Sequence, residues 1–158
     1  MTEPKVVHST FVVERSFPRP PETVFAAFAD PAKLRRWYGE SPYNEVEEFA
    51  LDFRVGGVQA FRYRLNEKTP VAGTVIRNEG RFQEIQPNQR IVTASTMDMN
   101  GKRVNASMTT VELVPNGTGT DVILTHQGAF FEGGPTPGMI EEGWRSLLGS
   151  LGKELERA

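Results

Sequence analysis

Large apolar residues near the C-terminus recur at the spacing of one helix face. The stripe consists of Ile140, Trp144, Leu147, Leu148, Leu151 and Leu155. It predicts a final helix that begins near Thr136-Pro137, where the threonine can cap the first turn. An apolar helix face must be covered, and the upstream chain is typical of short antiparallel strands. The space between helix and sheet is then either packed core or a pocket.

The region from about residue 46 to 128 has the pattern of an antiparallel meander. No long helical period appears there, and turn signals recur at hairpin spacing. Asn100-Gly101 and Asn116-Gly117 accept the positive φ angles of tight hairpins, and Gly56-Gly57 marks an earlier turn. Residues 6 to 17, rich in β-branched and aromatic types, predict a strand before the meander.

Two short helices are predicted between the first strand and the meander. Pro21 suits the first turn of one helix. Asp30-Pro31 opens the second, because the carboxylate can cap free backbone amides and proline favours the first helical position. Leu34, Trp37 and Tyr38 then form an apolar edge at the i, i+3 and i+4 positions.

Composition and charge argue against several classes of function. With 158 residues, no cysteine and a formal net charge of −2, the chain fits one domain over residues 1–158 without disulfides or zinc–thiolate sites. Lysine and arginine are scattered, so we expect neither nucleic-acid nor membrane binding. The chain lacks the pattern of a signal peptide or membrane span, and we expect a cytoplasmic protein. No catalytic signature or metal-ligand cluster appears, and we expect no metal or cofactor.

Several motifs together resemble one known family. They are residues 21–28, Asp30-Pro31 with Leu34 and Trp37, residues 52–57, residues 80–91, and Gly143-Trp144 with Leu147, Leu148 and Leu151. On these motifs the chain resembles the activator of Hsp90 ATPase homologue 1-like (AHSA1-like) family, a branch of the START-like and Bet v 1-like (SRPBCC) superfamily. The resemblance spans essentially the whole chain. One departure is Asn88, where family members often carry a second proline after Pro87.

The resemblance implies an α+β helix-grip fold. In that fold a curved antiparallel sheet, with two short helices, is closed by a long C-terminal helix packed over it. The superfamily uses the cavity between them to bind lipids, hormones or polyketides, and in some branches to cyclise them. We therefore favour a non-enzymatic protein that binds a small apolar or aromatic ligand. A cyclase or aromatase-like enzyme and an Hsp90-type chaperone partner are the alternatives, and the assembly is a monomer or a weak homodimer.

Aromatic residues supply most of the candidate ligand contacts. The candidates are Trp37, Tyr38, Phe61, Tyr63, Phe82, His126, Trp144 and Leu148. Phe61 and Tyr63 alternate with arginines and should face the concave side of the sheet. Trp37 and Tyr38 either border the pocket entrance or anchor the short helices. Trp144 either fills the core, which is the interpretation we favour, or lines the cavity.

The enzyme hypothesis needs polar groups that converge inside the cavity. His126 shares an inward phase with Val122 and Leu124. It is either a general base or ligand hydrogen-bond donor, or a buried histidine satisfied by a backbone carbonyl. Glu84 either faces inward with a raised pKa or pairs with a cation. Tyr63 is the third group, and this hypothesis predicts that at least two of the three lie within hydrogen-bond reach.

Overall fold

A seven-stranded antiparallel sheet dominates the computed structural model, which describes residues 4–158. The strands are β1 (Val7–Phe17), β2 (Asn44–Leu51), β3 (Val58–Leu65), β4 (Val75–Gln86), β5 (Arg90–Met99), β6 (Lys102–Asn116) and β7 (Gly119–Phe130). Strands β2 to β7 pair in sequence, and β1 pairs with β7, so the order is β1-β7-β6-β5-β4-β3-β2. The prediction of one strand followed by a six-stranded meander is confirmed.

The helices lie where proline and capping signals predicted them. They are α1 (Pro21–Ala29), α2 (Pro31–Leu34) and α3 (Pro137–Glu156). The Asp30 carboxylate accepts a hydrogen bond from the Lys33 amide at 3.1 Å, and the Thr136 hydroxyl accepts one from the Met139 amide at 3.2 Å. These caps satisfy amides that the first helical turn leaves free. The curved sheet with two short helices and a long closing helix is the helix-grip fold.

The second short helix differs from the prediction in its last turn. After α2 the chain continues as a π-helical turn over Arg35–Gly39. Gly39 lies against the ring of Phe61, where an added Cβ would be 2.6 Å from Cε1. The wider turn holds both Trp37 and Tyr38 at the edge of the sheet. Single π-turns are rare and often occur at functional sites, and nothing in the sequence pattern distinguished this one from α-helix.

Several turns contain residues with positive φ, and the two predicted Asn-Gly hairpins are among them. Asn100 and Gly101 have φ angles of 50° and 80°, and Gly117 has a φ of 60°, as the Asn-Gly signals predicted. At the earlier turn, Gly57 is required for a different reason. A Cβ at Gly57 would lie 2.0 Å from the Asp52 carbonyl oxygen.

A β-bulge in β4 overturns the inward interpretation of Glu84. Phe82 pairs with Thr93, but the next pair is Glu84 with Val92, so Gln83 is an extra residue in the strand. The bulge shifts the alternation by one position and turns Glu84 to the outer face. There its carboxylate accepts hydrogen bonds of 2.8 and 2.9 Å from the Arg90 guanidinium. The Arg90 guanidinium lowers the pKa of Glu84 rather than leaving it raised, so the ion-pair alternative is correct.

The core lies between one end of the concave face and the C-terminal half of α3. Leu148, Leu151 and Leu155 of the predicted stripe are fully or almost fully buried. Burial of each such side chain stabilises the fold by about 1.5–3 kcal/mol. The closest packing of α3 is against the π-turn, β1 and α1. Because the helix is supported along this side, a gap remains between its N-terminal half and the central strands.

Candidate functional site

The gap under the N-terminal half of α3 is a pocket of about 330 Å³, which we call the main pocket. Its walls come from the concave face of the sheet, the π-turn and α3. Ile140, Gly143, Trp144 and Leu147 form the helix side. The largest exposed apolar side chain at its margin is Met139, which is 62% exposed.

A cross-strand row of glycine and serine runs through the floor, where Gly80, Ser95 and Ser107 line the main pocket. Gly80 pairs with Ser95, Ser95 with Ser107, and Ser107 with Gly128. We call these four residues the small row. Residues at matched positions of antiparallel strands share one face of the sheet. Because their side chains are short, the floor lies close to the backbone and the space above stays open.

Gly80 cannot be enlarged without displacing its neighbours. A Cβ at Gly80 would lie 2.5 Å from the Ser95 hydroxyl oxygen and 2.7 Å from a Thr93 methyl carbon. Such separations are shorter than van der Waals contact, so the neighbouring side chains would have to move. The glycine therefore permits close packing of the strands under the pocket.

One end of the pocket carries side-chain amides. In register with Phe61 lie Asn78, Met97 and Asn105, all of which line the main pocket. Asn105 is only 4% exposed, and its amide nitrogen donates a 3.5 Å contact to the Met97 sulfur, a weak acceptor. Asn105 therefore keeps hydrogen-bonding capacity for a ligand.

Further polar residues line the walls. Asn44 and Gln59 add two more amides, and the Asn44 Oδ1 is buried without a hydrogen-bond partner within residues 4–158. A buried polar atom is normally satisfied, so an unpartnered one indicates a position that a ligand group can use.

The opposite end of the pocket is formed by Thr109 and His126, which pair between β6 and β7. The imidazole of His126 is stacked on Phe11 with ring centroids 4.8 Å apart. Burial lowers the pKa of His126 to about 4, so the ring is neutral at pH 7. Its Nδ1 has no hydrogen-bond partner in the described part of the chain. The inward phase predicted for His126 is confirmed. Its role, as a ligand-binding group or as a buried structural histidine, stays a prediction.

Aromatic side chains form the wall beside the π-turn. The Tyr38 ring lies 4.9 Å from that of Phe61 and 5.8 Å from that of Trp144, centroid to centroid. Burial raises the pKa of Tyr38. Burial also raises the pKa of Tyr63, and the neighbouring Asn78 amide opposes part of that rise. Both hydroxyls are therefore neutral hydrogen-bonding groups at pH 7.

Trp37 combines the two roles that the sequence left open. Its indole nitrogen donates a 2.8 Å hydrogen bond to the Ala27 carbonyl, which anchors the π-turn to α1. The same side chain lines the main pocket. Trp144 is half-buried, packs against the core and also lines the pocket, so it is not confined to the core role that we favoured.

Two candidates lie away from the main pocket. Phe82 lines a smaller adjoining pocket of about 50 Å³, together with Phe53 and Trp144. Leu148 is fully buried in the core and lines neither of these two pockets. The other candidates, Trp37, Tyr38, Phe61, Tyr63, His126 and Trp144, all line the main pocket.

The polar floor was the part that sequence reasoning missed. Asn78, Asn105 and Ser107 occupy inward positions of strands, where apolar residues are the rule. Alternation within β6 was a usable signal, because Asn105, Ser107 and Thr109 precede the buried Val111 and Leu113 in the same phase. Asn78 could be placed in the same way, because it shares the phase of the buried Phe82 and the β4 bulge comes only after that residue.

The site contains no assembled acid–base pair of the kind that the enzyme hypothesis predicted. Glu84 lies on the outer face. Tyr63 and His126 line the pocket, but they form no hydrogen bond through His126 Nδ1, which is unpartnered. Over residues 4–158 there is no group of three metal-ligating side chains. Within the same residues no helix is long and apolar enough to cross a bilayer.

Comparison with known sequences decides the family. The sequence model of the activator of Hsp90 ATPase homolog 1-like protein matches residues 18–156. The chain belongs to this family. One solved structure with a similar fold is that of an AHSA1-like protein from Aeromonas hydrophila. That protein is 19% identical, with 94% of this chain and 93% of that chain covered and a TM-score of 0.68. At this identity the likeness concerns the fold alone.

Two rhizobial structures are more similar to this AHSA1-like chain. The Mll3558 protein from Rhizobium loti is 44% identical, with 94% of this chain and 98% of that chain covered and a TM-score of 0.83. An uncharacterized protein from Rhizobium leguminosarum is 29% identical, with 97% of both chains covered and a TM-score of 0.88. A search of curated proteins gave no match.

Proposed function

We propose that the protein is a non-enzymatic binder of a small molecule, held between the central strands and the N-terminal half of α3. The observation that carries the proposal is the main pocket of about 330 Å³. This volume lies at the lower end of the range for small-molecule sites, about 300–1,000 Å³. The ligand is therefore a small molecule rather than a long-chain lipid.

The composition of the pocket supports binding. Aromatic rings of Tyr38, Phe61 and Trp144 supply apolar contact area, and Asn105 and His126 supply separated polar groups. Aromatic contact area combined with polar groups that fix the orientation of a ligand is typical of small-molecule sites. The polar groups also change the expected ligand. A purely apolar molecule would leave Asn105 and His126 without hydrogen bonds after displacing water, which disfavours it.

The alternatives have weaker support. Catalysis would require an acid or base placed against another polar group, and Glu84, the carboxylate expected there, is paired with Arg90 on the outer face. A chaperone contact would require a contiguous apolar surface. Exposed large apolar residues in the described chain are instead distributed over several elements, such as Val12 in β1, Val71 in a turn and Met139 in α3.

A substitution that fills the pocket tests the proposal directly. Ser107→Leu places a larger side chain at the centre of the floor, and Ala106→Leu adds a similar side chain one residue away on the outer face. Both variants are screened by thermal shift with aromatic alcohols, ketones, amides, sterols and polyketide-like compounds. For the unmodified protein a ligand at 100 times its Kd adds about 2.7 kcal/mol to stability. That raises Tm by about 5–11 °C for a domain of this size.

We expect the shift to persist in Ala106→Leu and to disappear in Ser107→Leu, whose own Tm stays near that of the unmodified protein. Binding that survives in a folded Ser107→Leu variant would place the ligand elsewhere. Absence of any shift across the whole panel would contradict a small-molecule function.

A further inference from the structure

We propose that the main pocket selects an uncharged, elongated ligand with a hydrogen-bonding group at each end and a flat apolar middle. This inference rests on the proposed function and specifies its ligand class. It follows from the order of side chains along β6. Asn105 lies at one end of the pocket, Ser107 in the middle, and Thr109 beside His126 at the other end.

The spacing of the two polar ends sets the length of the ligand. Asn105 and Thr109 are four residues apart on one strand, which corresponds to about 13 Å between their backbones. Both side chains face the pocket, as does the intervening Ser107. Between the two ends the small row leaves a shallow trough without large side chains.

The roof over this trough is aromatic. Trp144 of α3 and Tyr38 of the adjoining wall have ring centroids 5.8 Å apart, with their planes inclined by 53°. A flat ring system placed between this roof and the small row makes aromatic contacts above and close backbone contacts below. Rings are thus favoured in the middle of the ligand and polar groups at its ends.

The lining lacks a cation that would compensate an anionic ligand. Among the residues that line the main pocket, the ionised side chain is Glu40, which pairs with Arg35 at 3.2 Å. His126 is neutral at pH 7 because burial disfavours its protonated form. A carboxylate in this pocket would lose water contacts without gaining a positive partner, and Glu40 would repel it.

Two buried polar atoms in the pocket lining have no hydrogen-bond partner within the described residues. His126 is 4% exposed with an unpartnered Nδ1, and Asn44 Oδ1 is also unpartnered within residues 4–158. Neutral hydroxyl or amide groups can satisfy such atoms, because they donate and accept hydrogen bonds without carrying charge into the pocket.

Three probes with one ring system test the proposal by isothermal titration at pH 7. They are 4-hydroxybiphenyl with one polar end, 4,4′-dihydroxybiphenyl with two, and 4′-hydroxybiphenyl-4-carboxylate with one end charged. We expect the diol to bind about 3–10 times more tightly than the mono-ol, since one added neutral hydrogen bond has about that effect. We expect the carboxylate to bind at least tenfold more weakly than the diol.

Variants at the two polar ends of the pocket test which residues cause the preference for the diol over the mono-ol. Asn105→Leu and His126→Phe should each reduce the preference for the diol over the mono-ol to about one, while binding of the mono-ol changes little. Thr125→Val, on the opposite face of β7 from His126, is the control and should keep the preference. Using both variants guards against loss of folding in either one. The affinity for the diol should also stay constant between pH 6 and 8, because His126 remains neutral.

The outcomes separate this inference from the proposed function. Equal binding of all three probes, or tightest binding of the carboxylate, overturns the selection for uncharged two-ended ligands and leaves small-molecule binding intact. A preference for the diol that survives in both Asn105→Leu and His126→Phe also overturns it. Failure of every biphenyl probe, with binding of other compounds in the panel, contradicts the elongated shape. Failure of the biphenyl probes and of the panel contradicts both proposals.

Discussion

Gly39 shows how a single missing side chain positions the aromatic wall. The π-turn brings its backbone against Phe61, and an added Cβ would lie 2.6 Å from one ring carbon and 3.0 Å from another. Phe61 is fully buried and contacts Phe49 and Tyr38. The ring has little room to retreat, so this glycine sets the distance between the π-turn and the sheet.

Replacing Gly39 with alanine should therefore destabilise the protein. We expect Gly39→Ala to lower the free energy of unfolding by about 1–3 kcal/mol, the usual effect of forcing an extra methyl into a packed site. Urea unfolding followed by tryptophan fluorescence measures the change. Gly143→Ala is the matched control, because open space surrounds that position in α3. It should stabilise the helix by about 0.5–1 kcal/mol. Equal stability of the two variants would show that Phe61 moves freely.

At the scale of single residues, prediction worked where the strand period was unbroken. Phe61, Tyr63 and His126 line the pocket as their alternation indicated. For Glu84, alternation pointed inward, but the β-bulge inserts Gln83 and reverses the phase, so the ion-pair alternative is the correct one. A bulge of this kind carries no proline or glycine signal in the sequence, so its position was not predictable from local pattern.

An ion pair joins the π-turn to the end of α3. The Arg36 guanidinium donates hydrogen bonds of 2.9 and 2.8 Å to the two carboxylate oxygens of Glu154. Glu154 is only 5% exposed, whereas Arg36 is about one-third exposed. The Arg36 guanidinium lowers the pKa of Glu154, so the carboxylate is charged throughout the neutral range. This pair holds together the two elements that form the roof and wall of the main pocket.

Breaking this pair should loosen the contact between the two elements. Arg36→Met leaves the Glu154 carboxylate buried without a cation, which should cost about 1.5–3 kcal/mol of unfolding free energy. Arg35→Met breaks the exposed pair with Glu40 and should change stability by less than about 1 kcal/mol. Urea unfolding at pH 7 compares the two. If both variants lose the same stability, the buried pair has no special role.

At the scale of elements, most of the structure was predictable from the sequence. Proline and aspartate marked the starts of α1 and α2, Thr136-Pro137 marked α3, and Asn-Gly pairs marked two hairpins. These signals are local and act through backbone conformation. The π-turn was not predictable, because Arg35–Gly39 has the same apolar spacing that an α-helix would have.

The acid stability of the whole molecule should reflect two buried groups in separate pH ranges. The folded state lowers the pKa of His126 to about 4 by burial, so between its unfolded value of about 6.5 and pH 4 the unfolded chain binds the extra proton. Stability therefore decreases as pH falls through this range, by up to about 1.4 kcal/mol per pH unit. The Glu154 contribution is present above its unfolded pKa, about 4.3, and is lost as pH falls below that value.

His126→Phe separates the two contributions. We expect the variant to keep its pH 7 stability down to about pH 5, whereas the unmodified protein loses stability over the same interval. Both proteins should lose stability below about pH 4.3, because Glu154 is unchanged. Urea unfolding at half-unit pH steps measures the two curves. Parallel curves between pH 5 and 7 would mean that folding does not lower the pKa of His126.

At the scale of the whole molecule, the residue pattern predicted the fold but left packed core and pocket as alternatives, and only the family resemblance implied a cavity. The apolar stripe on α3 showed that the helix covers something, but the same stripe suits a filled core. In the structure the stripe has two parts. Its C-terminal part, Leu148, Leu151 and Leu155, is buried in the core. Its N-terminal part lines the main pocket through Ile140, Trp144 and Leu147. The division depends on how far α3 stands from the central strands, which results from its packing on β1, α1 and the π-turn. Such a distance is a property of tertiary packing and has no local signature.

The small row has a consequence for how binding preferences change within a family of this fold. The short side chains of Ser95 and Ser107 leave the main pocket open. Neither residue belongs to the apolar core that stabilises the molecule. A single substitution at either position would remodel the size of ligand accepted while leaving the core packing untouched. Gly80 lacks this freedom, because any Cβ there meets Ser95 and Thr93. Under the proposed function, relatives with the same backbone would therefore differ in the molecules they bind through single substitutions along this row of the sheet.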